Sequence, residues 1–190
     1  MKVGILALQG DFEAHARVLE RLGVEWNYVK RTEDLAGVDA LILPGGESTT
    51  VLKFLERNGF AESLRQFPAQ GKPLFGTCAG AILLAKEVAG RSQASLGLVD
   101  ITIERNAYGR QVASAVRRGH CTLRDAPPME MVFIRAPVIR RVGPEVRVLG
   151  ECDGLPVCVQ QGNCLVATFH PELTADTTLH EHFLQLIGKR

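Results

Sequence analysis

Short apolar runs alternate with helical patterns through the first half of this 190-residue chain. Residues 3–8 form a continuous apolar run typical of a buried strand, and apolar residues then recur at helical spacing until Gly23. Further strand patterns occupy residues 24–29 and 40–43. Because strands and helices take turns in this way, the pattern predicts an α/β fold built on a parallel sheet.

The remaining sequence continues this pattern and then departs from it. We expect a helix from the cap residues Ser48 and Thr49 to residue 58, a strand at 73–75 and a helix at 81–89. The second half contains strand patterns joined by turns, and some of these strands are expected to extend the sheet in antiparallel fashion. They lie at residues 99–104, 131–134, 146–149, 157–160 and 165–169, with a last helical pattern at 174–187. No repeat or linker interrupts the sequence, so we expect a single domain over residues 1–190.

The composition argues against several classes of protein. A formal net charge of +1 gives no electrostatic reason to expect a nucleic acid or an anionic membrane as a partner. No apolar stretch approaches the roughly 20 residues that a membrane-spanning helix needs. The five cysteines lack the paired C-x-x-C spacing of zinc sites, and a disulfide framework is not expected. We therefore expect a reduced, cytoplasmic enzyme or binding protein without a bound metal.

The segment Gly76-Thr77-Cys78-Ala79-Gly80 lies between a predicted strand and a predicted helix. This form is typical of a nucleophile elbow, in which flanking glycines let the backbone turn sharply and lift the central side chain out of the sheet. The following helix presents its positive end to the Cys78 sulfur, which favours a thiolate, and the Ala79 N–H is available to an oxyanion. A buried cysteine between two packing glycines explains the segment equally well, so the pattern needs a base.

His170-Pro171-Glu172 follows the strand pattern at 165–169 and offers that base. A neutral imidazole can accept the thiol proton and later deliver it to a leaving amine. If the segment is extended, the Glu172 carboxylate reaches the same side as His170, where it would orient the imidazole and stabilise its cation. A turn histidine beside an exposed glutamate is the alternative, and the elbow at Cys78 makes that alternative the weaker one.

A third candidate segment, Pro44-Gly45-Gly46-Glu47-Ser48, closes the predicted strand at 40–43. Loops at the carboxyl ends of parallel strands line the ligand crevice of such sheets. The glycine pair can present an N–H to a tetrahedral intermediate, and Glu47 and Ser48 can hydrogen-bond a polar ligand. On its own, the segment is equally explained as a turn before a capped helix.

Together these segments resemble the class I, or triad, glutamine amidotransferases. The resemblance is carried by Ala7-Leu8-Gln9-Gly10, Leu43-Pro44-Gly45-Gly46-Glu47-Ser48-Thr49, Phe75-Gly76-Thr77-Cys78-Ala79-Gly80 and Phe169-His170-Pro171-Glu172-Leu173-Thr174. Three more segments resemble the glutaminase subunits of pyridoxal 5'-phosphate synthase, namely Glu104-Arg105-Asn106, Tyr108-Gly109-Arg110-Gln111 and Phe133-Ile134-Arg135-Ala136-Pro137. The resemblance implies a three-layer, flavodoxin-like α/β fold, with an open, mostly parallel sheet flanked by helices and some antiparallel strands in the second half.

The resemblance also implies roles for matching positions. Cys78 would form a glutamyl thioester, and His170 and Glu172 would complete the triad. Gly46 and Ala79 would supply the oxyanion-hole N–H groups. The residues expected to hold glutamine are Gly46, Glu47, Ser48, Arg105, Ile134 and Arg135. The planar fork of an arginine suits an α-carboxylate, although most surface arginines are solvated cations.

A partner follows from the same resemblance: a (β/α)8 synthase subunit that receives ammonia through a protein tunnel, in a large hetero-oligomer, while this subunit needs no cofactor. Gln9 is a candidate contact, because the resemblance places Gln9-Gly10 where the synthase approaches the oxyanion loop. We expect partner binding to set the geometry of the Gly46 peptide and to switch hydrolysis on.

Other functions stay open. The fold and triad could serve another acceptor, as in the glutaminase half of imidazole-glycerol-phosphate synthase. A non-catalytic regulatory subunit could also keep the architecture, although an intact Cys78, His170 and Glu172 argues against it. A cysteine peptidase is a further alternative, but the Gly45-Gly46-Glu47-Ser48 segment suits a small free amino acid better.

The remaining candidates are expected to be structural. His15, His180 and His182 fall on helical patterns and are expected to pack or to face solvent. The basic cluster Arg117-Arg118-Gly119-His120 is expected to form a loop. The cysteines outside the elbow are expected to have no catalytic role; they are Cys121, Cys152, Cys158 and Cys164.

Overall fold

The computed structural model describes residues 1–57, 59–90, 93–105, 114–125 and 127–188. Asn106 and the segment Tyr108-Gly109-Arg110-Gln111, which help to narrow the resemblance, lie outside the described residues. The strands are β1 (Lys2–Leu6), β2 (Glu25–Val29), β3 (Ala40–Leu43), β4 (Leu74–Thr77), β5 (Ala85–Ala89), β6 (Val99–Glu104), β7 (Ser114–Cys121), β8 (Met129–Ile134), β9 (Val138–Val142), β10 (Arg147–Cys152), β11 (Leu155–Gln161) and β12 (Cys164–Ala167). The α-helices are α1 (Phe12–Arg21), α2 (Ser48–Arg57), α3 (Phe60–Gln66), α4 (Ala79–Leu84) and α5 (Thr178–Gln185).

The main sheet of the described chain has nine strands in the order β2-β1-β3-β4-β12-β11-β10-β7-β8. The pairings from β2 to β12 are parallel. The pairings from β12 to β8 are antiparallel. The predicted α/β fold and its antiparallel extension are therefore confirmed. A second sheet, in the order β5-β6-β9, contains one parallel and one antiparallel pairing.

Alternate residues of the central strands face two separate cores, which gives the molecule three layers. In β3, Leu41 and Leu43 belong to one core, together with residues of α2, α3, α4 and the second sheet. Ala40 and Ile42 belong to the other core, together with residues of α1 and α5. A strand covered on both faces needs apolar residues at consecutive positions, and this explains why residues 40–43 form a continuous apolar run.

Two local predictions are wrong. The helix expected at residues 81–89 ends at Leu84, and Ala85–Ala89 is strand β5, which pairs with β6. Its alanines favour a helix, but pairing with β6 outweighs this weak local preference. The expected loop around Arg117 and His120 is part of β7, which pairs with β8 and β10. Because much of β7 is exposed, its sequence lacks the apolar run that marks a buried strand.

Other boundaries differ by smaller amounts. The first strand ends at Leu6 rather than at residue 8, and α5 begins at Thr178 rather than at residue 174. The short helix α3 and the strand β9 were not expected from the sequence. Within the described ranges, no helix is both long enough and apolar enough to cross a membrane.

Candidate active site

The candidate nucleophile occupies the turn between β4 and α4. Cys78 has φ 47° and ψ −100°, in a region of backbone space that side chains other than glycine rarely adopt. Its N–H donates to the Ala167 carbonyl of the neighbouring strand at 2.9 Å, and its carbonyl accepts from the Ile82 N–H at 3.3 Å. Hydrogen bonds on both sides therefore hold a strained peptide in place, as a nucleophile elbow requires.

The glycines that flank Cys78 are required by close packing. A Cβ at Gly76 would lie 2.6 Å from the Gly80 carbonyl oxygen, and a Cβ at Gly80 would overlap the Leu43 carbonyl oxygen of β3. Neither glycine is among the residues with positive φ. The glycines permit the sharp turn, as expected, because without side chains they let α4 approach β3 and β4, while Cys78 itself adopts the unusual backbone.

His170 and Glu172 form a buried pair directly after β12. His170 Nδ1 lies 2.7 Å from Glu172 Oε1, and both residues are less than a tenth exposed. Pro171–Leu173 is a turn of 3-10 helix rather than the extended segment that was expected. The contact forms nonetheless, because the turn brings the carboxylate back towards the ring.

The surroundings of His170 change its protonation. Burial acts to lower the pKa of His170, but hydrogen bonds with Cys78 and Glu172, together with the charges of both, outweigh burial and raise the pKa to about 10. Burial acts to raise the pKa of Glu172, but the neighbouring His15 and the hydrogen bond with His170 lower it overall. The thiol, the imidazole and the carboxylate therefore interact in series, which is the arrangement of a catalytic triad.

Two further residues border the His170 ring. A Cβ at Gly45 would overlap the ring, so this position of the loop after β3 must be glycine for the two to pack. Asp11 Oδ2 lies 3.7 Å from His170 Nδ1. Ligand atoms of Asp11, His170 and Glu172 lie within 4.8 Å of one another, close enough together to hold a metal ion. The hydrogen bond between His170 and Glu172 already uses two of these groups, and the absence of a metal stays a prediction.

A cavity of about 90 Å³ opens beside Cys78. Every residue that the resemblance assigns to glutamine binding lies along its wall, and Ile82 of α4 is an additional neighbour. The lining residues are Gly46, Glu47, Ser48, Cys78, Ala79, Ile82, Arg105, Ile134 and Arg135. The Ile134 carbonyl oxygen also lies 3.8 Å from the Cys78 sulfur. Arg135 has φ 45°, so the chain bends sharply where β8 ends at the cavity.

Glu47 caps helix α2, rather than the expected Ser48 and Thr49. Its carboxylate accepts the Thr49 N–H at 3.1 Å and the Thr50 N–H at 2.8 Å. Burial acts to raise the pKa of Glu47, but these hydrogen bonds and that of the Thr50 hydroxyl lower it to about 2. Arg105 extends the cluster by donating to the Glu47 carboxylate at 3.3 Å and to the Thr49 hydroxyl at 3.0 Å.

Hydrogen bonds join the loop after β1 to the loop after β3. Gln9 Oε1 accepts the Glu47 N–H at 2.7 Å, and the Asp11 N–H donates to the Gly45 carbonyl at 3.1 Å. A Cβ at Gly10 would overlap that same carbonyl oxygen. The exposed Gln9 side chain therefore holds the peptide that joins Gly46 to Glu47, beside the candidate oxyanion hole.

Several polar residues near the site were not predicted to have a role there. His15, Thr77 and His180 are fully or almost fully buried, and His15 lies 3.5 Å from Glu172. The helical pattern explained both histidines as packing or surface residues, and no local signal relates either of them to Glu172. The other cysteines are buried, and burial raises the pKa of Cys164 to about 12, which keeps its thiol protonated.

Known proteins resemble this chain over almost its whole length. The SNO glutamine amidotransferase family matches residues 5–189. The chain is 55% identical, over 98% of its length and 96% of the relative, to pyridoxal 5'-phosphate synthase subunit PdxT of Koribacter versatilis. It is 50% identical to the PdxT of Niallia circulans, with 98% of each chain covered. A crystal structure of a glutamine amidotransferase, 49% identical, superimposes with a TM-score of 0.92 over 98% of this chain and 99% of that one. The chain therefore belongs to the SNO glutamine amidotransferase family.

Proposed function

We propose that Cys78, His170 and Glu172 hydrolyse glutamine to glutamate and ammonia in the cavity beside the β4–α4 turn. The chain is the glutaminase subunit of a pyridoxal 5'-phosphate synthase. The observation that carries the proposal is the position of Cys78, on a strained turn and in contact with a buried histidine–glutamate pair. The family and the relatives supply the substrate, since geometry alone does not distinguish one small amide from another.

The reaction begins with attack of the Cys78 sulfur on the carboxamide carbon of glutamine. The thiol proton resides on His170, whose raised pKa favours the imidazolium, and it is delivered to the leaving nitrogen as ammonia departs. A γ-glutamyl thioester remains on Cys78. Neutral His170 then takes a proton from water, and the hydroxide adds to the thioester carbon. The carbon–sulfur bond breaks, glutamate leaves, and the Cys78 sulfur and the protonated His170 are restored. Glu172 orients the imidazole and stabilises its cation throughout.

Backbone N–H groups of Gly46 and Ala79 are proposed to bind the oxyanion of each tetrahedral intermediate. Ala79 is the first residue of α4, so its N–H has no partner inside the helix. Gly46 lines the same cavity from the opposite loop. Two donors that converge from separate loops can stabilise a negative charge that exists only during the reaction.

Recognition of the amino acid end of glutamine is proposed for Glu47, Ser48, Arg105, Ile134 and Arg135. Arg105 supports this role because its guanidinium is already held by Glu47 and Thr49 at the edge of the cavity. A prearranged arginine binds a carboxylate without a large loss of side-chain entropy.

The partner is a synthase subunit that consumes the ammonia. We further propose that this partner is a (β/α)8 barrel, that the complex is a large hetero-oligomer, and that it is cytoplasmic. The hydrogen bond from the Glu47 N–H to the Gln9 side chain supports the proposal that partner binding acts on the oxyanion loop. A partner that contacts the exposed Gln9 would change how the Gly46–Glu47 peptide is held, and so regulate hydrolysis.

The proposal is tested by measuring glutamate release from glutamine, for the chain alone and with a pyridoxal 5'-phosphate synthase partner subunit. We expect the partner to stimulate glutamate release and Cys78→Ala to reduce it to background. An acid-stable γ-glutamyl adduct should form on the wild-type protein and not on Cys78→Ala. Cys164→Ala, which removes a buried thiol from another part of the sheet, serves as the control. Equal rates for wild type and Cys78→Ala in the stimulated complex would contradict the proposed nucleophile. Stimulation by the synthase half of a different amidotransferase instead would contradict the pathway.

A further inference from the structure

A buried polar cluster lies behind the triad, on the side of Glu172 away from His170. We define this buried polar cluster as His15, Thr77, Glu172 and His180. The four side chains come from α1, the end of β4, the turn after β12 and α5, respectively. Each is 6% exposed or less. A polar group without water must find partners inside the protein, so the contacts within this cluster define what its members can do.

The contacts form a chain that ends at the triad. His180 Nε2 lies 3.0 Å from His15 Nδ1. His15 Nε2 lies 3.1 Å from the Thr77 hydroxyl and 3.5 Å from Glu172 Oε2. Glu172 Oε1, the other carboxylate oxygen, is the one that contacts His170. His15 therefore touches both the acid of the proposed triad and the residue immediately before the nucleophile.

Glu172 Oε2 has no hydrogen bond from any part of the chain that the structure describes, although it is buried. The imidazole of His15 is the group that faces it as an ion-pair neighbour. A buried carboxylate oxygen needs a positive or hydrogen-bearing neighbour, since charge is costly to keep away from water. A proton on His15 Nε2 would meet that need, whereas a lone pair there would repel the carboxylate.

The arrangement of both histidines is consistent with that proton. Burial lowers the pKa of His15, and burial lowers the pKa of His180 to about 3, so both rings are neutral near pH 7. A neutral His15 with its proton on Nε2 must accept at Nδ1, and this requires His180 to donate from Nε2. In this assignment His180 Nδ1 carries a lone pair, and that atom has no hydrogen-bond partner in the described structure. The opposite assignment would leave a buried N–H there, which proteins avoid more strictly.

We infer that His15 is a positioning residue of the glutaminase site, which uses its Nε2–H to hold Glu172 as an oriented anion, while His180 fixes its tautomer. The inference rests on the proposed triad and extends it by two residues that do not touch the substrate. The Thr77 hydroxyl shares the same Nε2–H. His15 therefore also connects Glu172 to Thr77, the residue that immediately precedes Cys78. The other charged or titratable neighbours of His15 and His180 are Asp11, His170 and Arg21.

The first test needs no substitution. Nitrogen-15 NMR of the imidazole rings in the wild-type free chain distinguishes a proton on Nε2 from one on Nδ1. We expect neutral His15 with its proton on Nε2 and neutral His180 with its proton on Nε2 at pH 7 to 8, above the ordinary histidine pKa of about 6.5. A proton on His15 Nδ1, or a charged His15, would overturn the inference.

The second test compares His15→Phe with His15→Gln. Phenylalanine keeps a ring in the space but removes the donor, whereas the glutamine amide nitrogen can replace the Nε2–H. In His15→Phe we expect the Glu172 pKa, followed by carbon-13 NMR of the carboxylate in the free chain, to rise. The acid limb of kcat/KM in the stimulated complex should move to higher pH in parallel. In His15→Phe we expect kcat to fall by about 10-fold or more with KM little changed, which is the scale of one oriented hydrogen bond to a charged group. His15→Gln should recover most of this loss.

His120→Gln is the matched control, since His120 is exposed on β7 and belongs to no part of the cluster. If His15→Phe and His15→Gln have the same Glu172 titration and the same pH profile as wild type, and differ only in thermal stability, the histidine is structural and the inference is wrong. Because the carboxylate titration requires no turnover, this outcome is separate from a failure of the proposed function, which would instead appear as undiminished hydrolysis by Cys78→Ala.

Discussion

At the scale of single residues, the protonation of His170 depends on the two groups between which it lies. Burial alone would favour the neutral ring, yet the pKa of His170 is raised to about 10 by its contacts with Cys78 and Glu172. The ordinary value is 6.5, so the charged ring stabilises the folded protein. This stabilisation is fully present below pH 6.5 and is lost as the pH rises through about 10.

Replacement of the nucleophile should therefore be visible in the histidine. In Cys78→Ala we expect the pKa of His170 to fall below about 10, because burial still opposes the charged ring and the contribution of Cys78 is lost. The decline in unfolding free energy between pH 7 and 10 should become shallower than in wild type, where the range is set by that pKa of about 10. Imidazole NMR and urea denaturation measure the two effects.

Cys164→Ala is the control for this prediction, because it removes a buried thiol of the opposite core. It is expected to lower stability at every pH and to leave the His170 titration as it is. An identical His170 titration in wild type and Cys78→Ala would mean that the thiol and the imidazole do not interact.

At the scale of secondary-structure elements, the start of α2 shows how one side chain can serve both a helix and a site. Glu47 accepts two backbone N–H groups of the first turn of α2, groups that a helix cannot satisfy internally. The same residue lines the cavity beside Cys78 and contacts Arg105. The helix cap therefore fixes one wall of the proposed glutamine pocket.

Glu47→Ala is expected to destabilise the protein by about 1 kcal/mol, the usual effect of removing a helix cap. The pKa of Glu47 is lowered from 4.5 to about 2, so the stabilisation is present above pH 4.5 and disappears as the pH falls through about 2. Urea denaturation at pH 7 and at acidic pH should show the difference between wild type and Glu47→Ala shrinking on acidification.

Glu56→Ala provides the comparison, since Glu56 is an exposed glutamate of the same helix outside its first turn. Its effect should stay within about 0.5 kcal/mol. A loss of stability in Glu56→Ala as large as that in Glu47→Ala would show that the cap contributes nothing particular.

At the scale of the whole molecule, the site lies where the loops after β1, β3, β4, β8 and β12 meet. Each loop follows the carboxyl end of its strand, and β8, although it lies in the antiparallel half of the sheet, runs in the same direction as the parallel strands. Gln9 connects the first two loops from an exposed position. A partner subunit that binds this surface has direct access to the oxyanion loop.

Gln9→Ala is expected to reduce partner-stimulated glutamate release severalfold, because the peptide after Gly46 loses its hydrogen-bond acceptor and the partner loses a contact. Gln9→Glu, which keeps an acceptor oxygen, should retain more stimulation. Steady-state rates with and without the synthase, together with the affinity of the two subunits, separate the two effects.

The matched control is Gln70→Ala, since Gln70 is exposed and precedes β4, at the opposite end of the strand from Cys78. It should respond to the partner as wild type does. If Gln9→Ala is stimulated as strongly as wild type, the proposed route from the partner to the oxyanion loop is wrong.

The sequence by itself determined the features that local chemistry controls. Continuous apolar runs marked the central strands, because a strand buried on both faces has no polar side. The spacing of glycine around Cys78 and the tripeptide at His170 indicated the candidate nucleophile and its candidate base, because short segments of this kind place reacting atoms on known turns. These patterns fixed the α/β class and the candidate triad.

Only the tertiary structure decided the rest, since it depends on contacts between residues distant in the chain. Pairing with β6 made a strand of Ala85–Ala89, against its local preference for a helix. Packing of α4 against β3 explained Gly80, and the carbonyl of Gly45 explained Gly10. His15 contacts Glu172, and His180 contacts His15, because α1 and α5 cover the same face of the sheet. Periodicity tells which side of a helix is buried, but not which buried group it will touch.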